Sequence, residues 1–262
     1  MAPVAVKVLT SEINEQSKKD YVTEIMILGQ TSHRNIMKLV GWCRHGDKQL
    51  LLVYELITNG SLSEHLHKSE RLLTWAKRYK IVLGVGSPIE YLHTSSDQNP
   101  ILHRDIKPSN VMLDGEFEAK LGDFGLVRHA PGQGSLKGTD IIGSLDYMDP
   151  VSIHTNTTSP ASDMYSFGVL LLEVATGQIP KVEALGLPNT LVNAVRKSYS
   201  KGAVLEMADV RLDGNFDKSQ MERVLVVGLL CVQQDRLERP GIRAAVNFLS
   251  NPSHPIPEVI II

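Results

Sequence analysis

The chain has 262 residues, 42% of them hydrophobic, and a net charge of −2. It is long enough to bury a full core, as one large domain or two lobes. With no block of like charges, it offers none of the concentrated basic patch that a nucleic-acid or polybasic membrane partner would require. The two cysteines, Cys43 and Cys231, stand far apart among apolar neighbours. They are expected as buried thiols in a reducing compartment, not as a disulfide or metal site. The longest apolar runs, around 169–172 and 224–232, fall well short of the ~20 residues of a bilayer span. The first residues lack the apolar core of a signal peptide. A soluble, cytoplasmic chain is the expectation.

Strand signals come first: "VAVKVL", "IMKLVGWC" and "QLLLVYEL" are short and rich in Val, Ile and Leu. Between the first two lies "SKKDYVTEIMILGQ", with Tyr21, Ile25 and Leu28 at helical spacing. "TNGSL" breaks the pattern at Asn59-Gly60 and offers Ser61 as an N-cap. Helices dominate beyond it, in "LTWAKRYKIVLGV", "SDMYSFGVLLLEVATG" and "SQMERVLVVGLLCVQQ", with Gly177 placed as a C-cap. The proline-rich "NPSHPIPEVIII" is expected to pack as an extended strip or fray. The predicted class is α+β: a small β-rich lobe over residues 1–55, a connector at 56–61, a helical lobe over 62–250 and a tail from 251 to 262. Trp42 and Trp75 are read as core.

The chemistry concentrates in "ILHRDIKPSNVML". His103-Arg104-Asp105 followed by Asn110 fits a loop in which an Asp accepts the proton of a substrate hydroxyl and an Asn holds Mg²⁺. Eighteen residues after Asp105 stands Asp123, followed by Phe124 and Gly125. The phosphates of ATP require a divalent cation, hard cations prefer oxygen ligands, and Asn110 and Asp123 supply them.

These motifs, together with "HRNIMKLVGWC", "LLVYELITNGSL", "SNVMLDGEFEAKLGDFGL", "SDMYSFGVLLLEVATG" and "QMERVLVVGLLCVQQDRLERP", make the chain resemble a eukaryotic protein kinase. Within that superfamily it is similar to the kinase region of plant receptor-like kinases of the legume-lectin type. The resemblance runs from Val4 to about Leu249. It implies a two-lobed kinase fold and ATP-dependent phosphorylation of Ser or Thr in a protein substrate. It also implies that full-length relatives are membrane-anchored and that this part lies on the cytoplasmic face of the plasma membrane, with a homodimer for trans-phosphorylation as an open partner. By resemblance Lys7 holds the α- and β-phosphates and pairs with Glu24, while Ala5 and Met112 sandwich the adenine. Tyr54 is the gatekeeper, and the backbones of Glu55 and Ile57 bond the adenine edge. Lys107 marks serine/threonine specificity and steadies the transferred group. Asp163 caps its helix and anchors the catalytic loop. Leu28, Leu39, His103 and Phe124 stack as an internal column. Arg104 implies activation by loop phosphorylation, with Ser135 and Thr139 the nearest candidates.

Four departures from the family pattern carry expectations of their own. Only three residues precede Val4, so the two strands and Gly-rich loop that open this family are expected to be missing. The strand of Lys7 would then expose an edge, with a raised ATP requirement and low turnover. In "YMDPV", Val151 replaces the Glu that pairs with Arg239 in the family, and a broken buried pair costs ~3–5 kcal/mol. Asp149 can compensate only in part, being shorter and shifted. In "GSLDY", Ser144 stands in for Thr beside the substrate, while Asp146 replaces a Gly and is expected to strain the loop. Pro88 falls inside a long helix at a cost of ~3 kcal/mol. These departures give the alternative reading: a catalytically silent kinase-fold module that acts by binding.

Overall fold

The computed structural model describes residues 3–9, 14–45, 49–94, 99–130, 136–137, 143–183 and 190–260. Strand β1 (Val4–Leu9), helix α1 (Glu15–Gln30) and strands β2 (Leu39–His45) and β3 (Gln49–Glu55) come first. The strands form one antiparallel sheet in the order β1-β3-β2, with Lys7 opposite Leu52 and Ala5 opposite Tyr54. Alternation in β1 turns Val4, Val6 and Val8 to solvent and Ala5, Lys7 and Leu9 toward the face that carries buried Leu52 and Tyr54. That parity fixes which side of the sheet receives the ammonium group. Asn14 caps α1, its side chain accepting from Ser17 N at 2.8 Å.

After the connector, Ser61 and Glu64 close a capping box on α2 (Leu62–His67). Helix α3 (Trp75–Thr94) follows, then four short strands: β4 (Ile101–Leu102), β5 (Val111–Leu113), β6 (Ala119–Leu121) and β7 (Arg128–His129). The hairpin β5–β6 and the pair β4–β7 hold the chemistry-bearing loops between them. Strand β8 (Leu136–Lys137) pairs with β9 (Thr157–Thr158), flanking helix α4 (Pro150–Thr155). Helix α5 (Pro160–Thr176) is buried from Ser162 to Thr176 and forms the axis of the helical part. Helices α6 (Thr190–Tyr199), α7 (Lys218–Cys231) and α8 (Ile242–Ser250) complete it. Gly177 ends α5 in the left-handed conformation, its N–H donating to Glu173 O. The tail packs as an irregular strip: Arg223 donates to the carbonyls of Phe248, Pro252 and His254, and Val259 is buried.

Two core expectations fail on β2. Trp42 is 59% exposed and Cys43 is exposed, whereas Trp75 and Cys231 are buried as expected. β2 is an edge strand, and an extra residue between Leu39 and Gly41 shifts its register on β3. Apolar neighbours in sequence therefore do not translate into cover here. Burial pushes the thiol of Cys231 up to about 12, which keeps it protonated and inert.

Pro88 sits inside α3, buried, and the helix runs through it from Trp75 to Thr94. The ring withholds one bond from the carbonyl of Gly84. Pro88→Ala restores that donor and is expected to stabilise the protein by up to ~3 kcal/mol. A denaturant titration reads it, and an unchanged or lower midpoint would mean that the packing of the ring outweighs the missing bond.

Candidate active site

The first half of the site is a charge relay between the sheet, α1 and the loop after β6. Lys7 Nζ lies 3.1 Å from Glu24 Oε2 and 2.8 Å from Asp123 Oδ1. Glu24 is buried, and its other oxygen accepts from Tyr54 Oη at 2.6 Å and from the amide of Phe124 at 3.3 Å. Burial pulls the lysine pKa down, but Glu24 and Asp123 outweigh it and hold Lys7 above the ordinary value. For Asp123 burial acts upward, but Lys7 and the other positive charges around it together outweigh it, so the carboxylate stays ionised. Burial and the charge of Glu24 push the Tyr54 phenol far up, fixing it as a neutral donor. An ammonium has three donors. Two are engaged, and the third is available for a phosphate.

The second half is the turn between β4 and β5. Asp163, buried near the start of α5, accepts from the backbone N–H groups of His103 and Arg104, each at 2.8 Å, and from His93 Nε2 at 2.9 Å. Burial raises its pKa, but the bond from His93 and the charges around it prevail and hold it low. These bonds pin a turn in which Arg104 adopts a left-handed φ of 70°. His103 stacks edge-on against Phe124 at 5.0 Å and contacts Gly122 O at 3.1 Å. Phe124 and Leu28 lie in the core, and Leu39 packs against it. Asp105 Oδ2 accepts from Lys107 Nζ at 2.6 Å and Asn110 Nδ2 at 2.8 Å. Among the described residues its Oδ1 receives the 3.3 Å bond from Ser144 N alone and keeps a lone pair for a hydroxyl. Lys107 also donates to Ser144 Oγ at 2.8 Å. Gly143 carries a φ of 137°, and a Cβ there would meet Arg104 O at 3.2 Å, so the wall bearing Ser144 can approach this closely only through glycine.

The two halves meet where Gly122 N donates to Asn110 O at 2.9 Å. That bond ties the segment bearing Asp123 to the loop bearing Asp105 and Asn110. Asn110 spends its amide N–H₂ on Asp105 O and Oδ2, both at 2.8 Å, leaving its carbonyl oxygen for a cation. Among the described residues no group of three metal-ligating side chains forms a closed site. An amide oxygen beside one carboxylate is the sparse, hard set that suits Mg²⁺, which keeps waters and binds with phosphate.

Ala5 and Met112 are half-buried, Ala5 on the Lys7 face of β1 and Met112 on β5 where it bridges to Ser61. The Glu55 amide donates to Lys38 O at 3.1 Å, and its side chain accepts from Lys38 N at 3.0 Å and Lys120 Nζ at 2.8 Å. Ile57 packs against the core just beyond it. Ser135 and Thr139 lie outside the described residues.

Three expectations are corrected. Asp163 anchors but does not cap: α5 begins at Pro160 after Ser159, whose N–H donates to Ser162 Oγ at 3.1 Å. Asp146 carries no positive φ; it sits in a single 3₁₀ turn, and its Oδ1 accepts from Val182 N at 2.8 Å, so aspartate fits without strain. Nor is Arg239 left without a partner. Asp149, 1% exposed, places Oδ1 2.9 Å from Arg239 Nη2 and Oδ2 2.8 Å from Arg236 Nε. The carboxylate has moved two residues along the chain and engages two guanidinium groups. The sequence offered no sign of Arg236 or His93 as partners, because both act through distant side chains.

A phosphate-ready lysine tied to a helix carboxylate, above a loop holding Asp105, Lys107 and Asn110, is the layout of a protein kinase domain. The model of the protein tyrosine and serine/threonine kinase family matches residues 1–249, and the chain belongs to that family. It is 42% identical over 94% of its length to the L-type lectin-domain containing receptor kinase VIII.1 of Arabidopsis thaliana, covering 35% of that protein. Identity to the receptor kinase IX.1 of the same plant is 41%, over 94% of this chain and 38% of the relative. The rice receptor kinase SIT1 shares 39% identity over 98% of this chain and 38% of its own length. The chain therefore spans little more than a third of these curated relatives. Among the described residues no helix is long and apolar enough to cross a membrane.

Proposed function

We propose that the chain is a serine/threonine protein kinase domain that uses Mg²⁺-ATP, the cytoplasmic signalling part of a receptor-like kinase at the plasma membrane. The observation that carries this reading is the hydrogen-bonded cluster of Asp105, Lys107, Asn110 and Ser144, tied through the bond from Gly122 N to Asn110 O to the segment whose Asp123 pairs with Lys7 and, through it, Glu24. When bound, the nucleotide would supply its γ-phosphoryl group, the acceptor oxygen bonding to phosphorus as the bond to the β-phosphate oxygen breaks and ADP leaves, and the cation would offset the charge. Asp105 takes the proton of the acceptor hydroxyl through Oδ1. Lys107 and Ser144 form the wall against which the acceptor lies, and Lys107 offsets charge on the moving group. Asn110 and Asp123 would hold the cation by oxygen, and Lys7 would grip the phosphates with its remaining donor. Positioning and charge do most of this work.

Radiolabelled transfer to a Ser/Thr peptide, with Asp105→Asn as control, tests the reading. The expected result is labelled phosphoserine or phosphothreonine from the parent and a loss on the order of 100-fold in the variant. Equal signals from both return the chain to the silent binding module. A thermal midpoint that rises with Mg²⁺-ATP locates the nucleotide on the folded state. Trans-phosphorylation within a homodimer would appear as label on a Lys7→Met copy mixed with the parent.

A further inference from the structure

Arg128 opens β7, three residues beyond Gly125, and its guanidinium reaches in two directions. Toward its own segment, Nη1 donates to the carbonyls of Val127 at 2.7 Å and Gly125 at 3.2 Å. Toward α1, Nη1 lies 3.3 Å from Thr23 Oγ1 and Nη2 3.7 Å from the carboxylate of Asp20. Gln16 Nε2, one turn back on α1, donates to the same Asp20 carboxylate at 2.7 Å and steadies it.

The helix comes close enough here that a Cβ on Gly125 would stand 3.2 Å from Asp20 Cβ. One turn further along α1 is Glu24, which accepts from Lys7, Tyr54 and the amide of Phe124. Residues 20, 23 and 24 share one face of the helix. α1 is thus fastened to the segment 123–128 at two points, one buried at Glu24 and one half-exposed at Asp20 and Thr23. A single fastening would let the helix pivot about Glu24, and the second removes that freedom. A planar fork with five donors suits a residue that must bond carbonyls on one side and a helix on the other, which an ammonium does poorly.

We propose that Arg128 is a positioning residue: it latches α1 to the Asp123–Phe124–Gly125 segment through Asp20 and Thr23, and so holds Glu24 on Lys7. It takes no part in the chemistry itself. Only the kinetic arm of its test rests on the phosphoryl-transfer reading.

Hydrogen exchange on the whole chain provides the other arm. Arg128→Ala and Asp20→Ala are each expected to speed exchange of the α1 amides by roughly three- to five-fold, the upper range of a half-exposed pair, with α7 unchanged as proof of an intact fold. Arg128→Lys, the mildest variant, keeps the charge, loses the fork and is expected to fall between parent and Arg128→Ala. The reversed pair D20R/R128D is expected to return α1 to within about two-fold of the parent. In the transfer assay, Arg128→Ala raises the KM for ATP and leaves that for the acceptor peptide alone. Unchanged α1 exchange in Arg128→Ala and Arg128→Lys overturns the latch, as does a reversed pair no slower than the single variants. If the parent transfers no phosphate the transferase reading fails, and the exchange data still decide the latch.

Discussion

Asp149→Ala is expected to cost ~3–5 kcal/mol of unfolding free energy, because it leaves the buried guanidinium of Arg239 and the neighbouring Arg236 without their shared carboxylate. Against a domain stability of ~5–15 kcal/mol that is a large share. The other donors of Arg239 go to the carbonyls of Gln233 and Ala161, each at 2.8 Å, its guanidinium lies over the Tyr165 ring at 5.1 Å, and among the described residues no second carboxylate pairs with it. Asp149 also accepts from Val151 N at 3.1 Å at the start of α4, and alanine loses that cap as well. Chemical denaturation measures the cost. A midpoint shift worth less than ~1 kcal/mol, the size of a surface pair, would show that the two arginines do not depend on Asp149. The double variant D149A/V151E asks whether the carboxylate can be returned to position 151, where the family carries it. Partial recovery of the midpoint is expected, since Arg239 has one anionic partner again while Arg236 regains none.

The same pair sets part of the acid limb. Burial raises the pKa of Asp149, but the bond and charge of Arg239, joined by Arg236, lower it further, so the net direction is down. A carboxylate depressed in the folded state contributes stability above its unfolded pKa of ~3.9 and loses it as pH falls through the folded value. Asp123, Asp163 and Asp209 share that direction. Thermal midpoints should therefore hold near neutrality and fall steeply below about pH 4. Asp149→Asn starts lower and falls less.

The spacing of Asp105, Asn110 and Asp123 was legible as a motif, and the bond from Gly122 N to Asn110 O ties the segments that carry them. Strand β1 was legible for a similar reason: the parity of alternation places Lys7 with Ala5 on the face of Tyr54. What the sequence hid was set by contacts far along the chain. Nothing local to Asp149 indicates that Arg236, 87 residues away, will meet it. The exposure of Trp42 follows from an edge position and a register shift, neither of which appears in the composition of "GWC". Asp146 looked strained only because a family glycine was taken to imply a positive φ. The 3₁₀ turn there needs none, and the carboxylate finds the amide of Val182.

Asp163 is the residue whose loss should separate stability from chemistry. Its two oxygens satisfy the amides of His103 and Arg104, inside a turn held in the left-handed region at Arg104. Asp163→Ala orphans both donors, at roughly 1–3 kcal/mol each, and frees the strained turn to relax. Asp163→Asn keeps the size but turns an N–H₂ toward one of those amides, so one bond is replaced by a donor facing a donor. Asp105 follows the backbone of that turn, and a displacement of about 1 Å at the reacting atoms is worth on the order of 100-fold in rate. The expected signature of Asp163→Asn is a kcat reduced by about that factor with little change in the KM for ATP, because the bonds among Lys7, Glu24 and Tyr54 do not run through the turn. His93→Gln, which keeps a donor beside Asp163 without the imidazole, should lose far less. A parent-like kcat in Asp163→Asn would show that the turn keeps its shape without the anchor, and that the bonds from Asn110 and Lys107 alone suffice to aim Asp105.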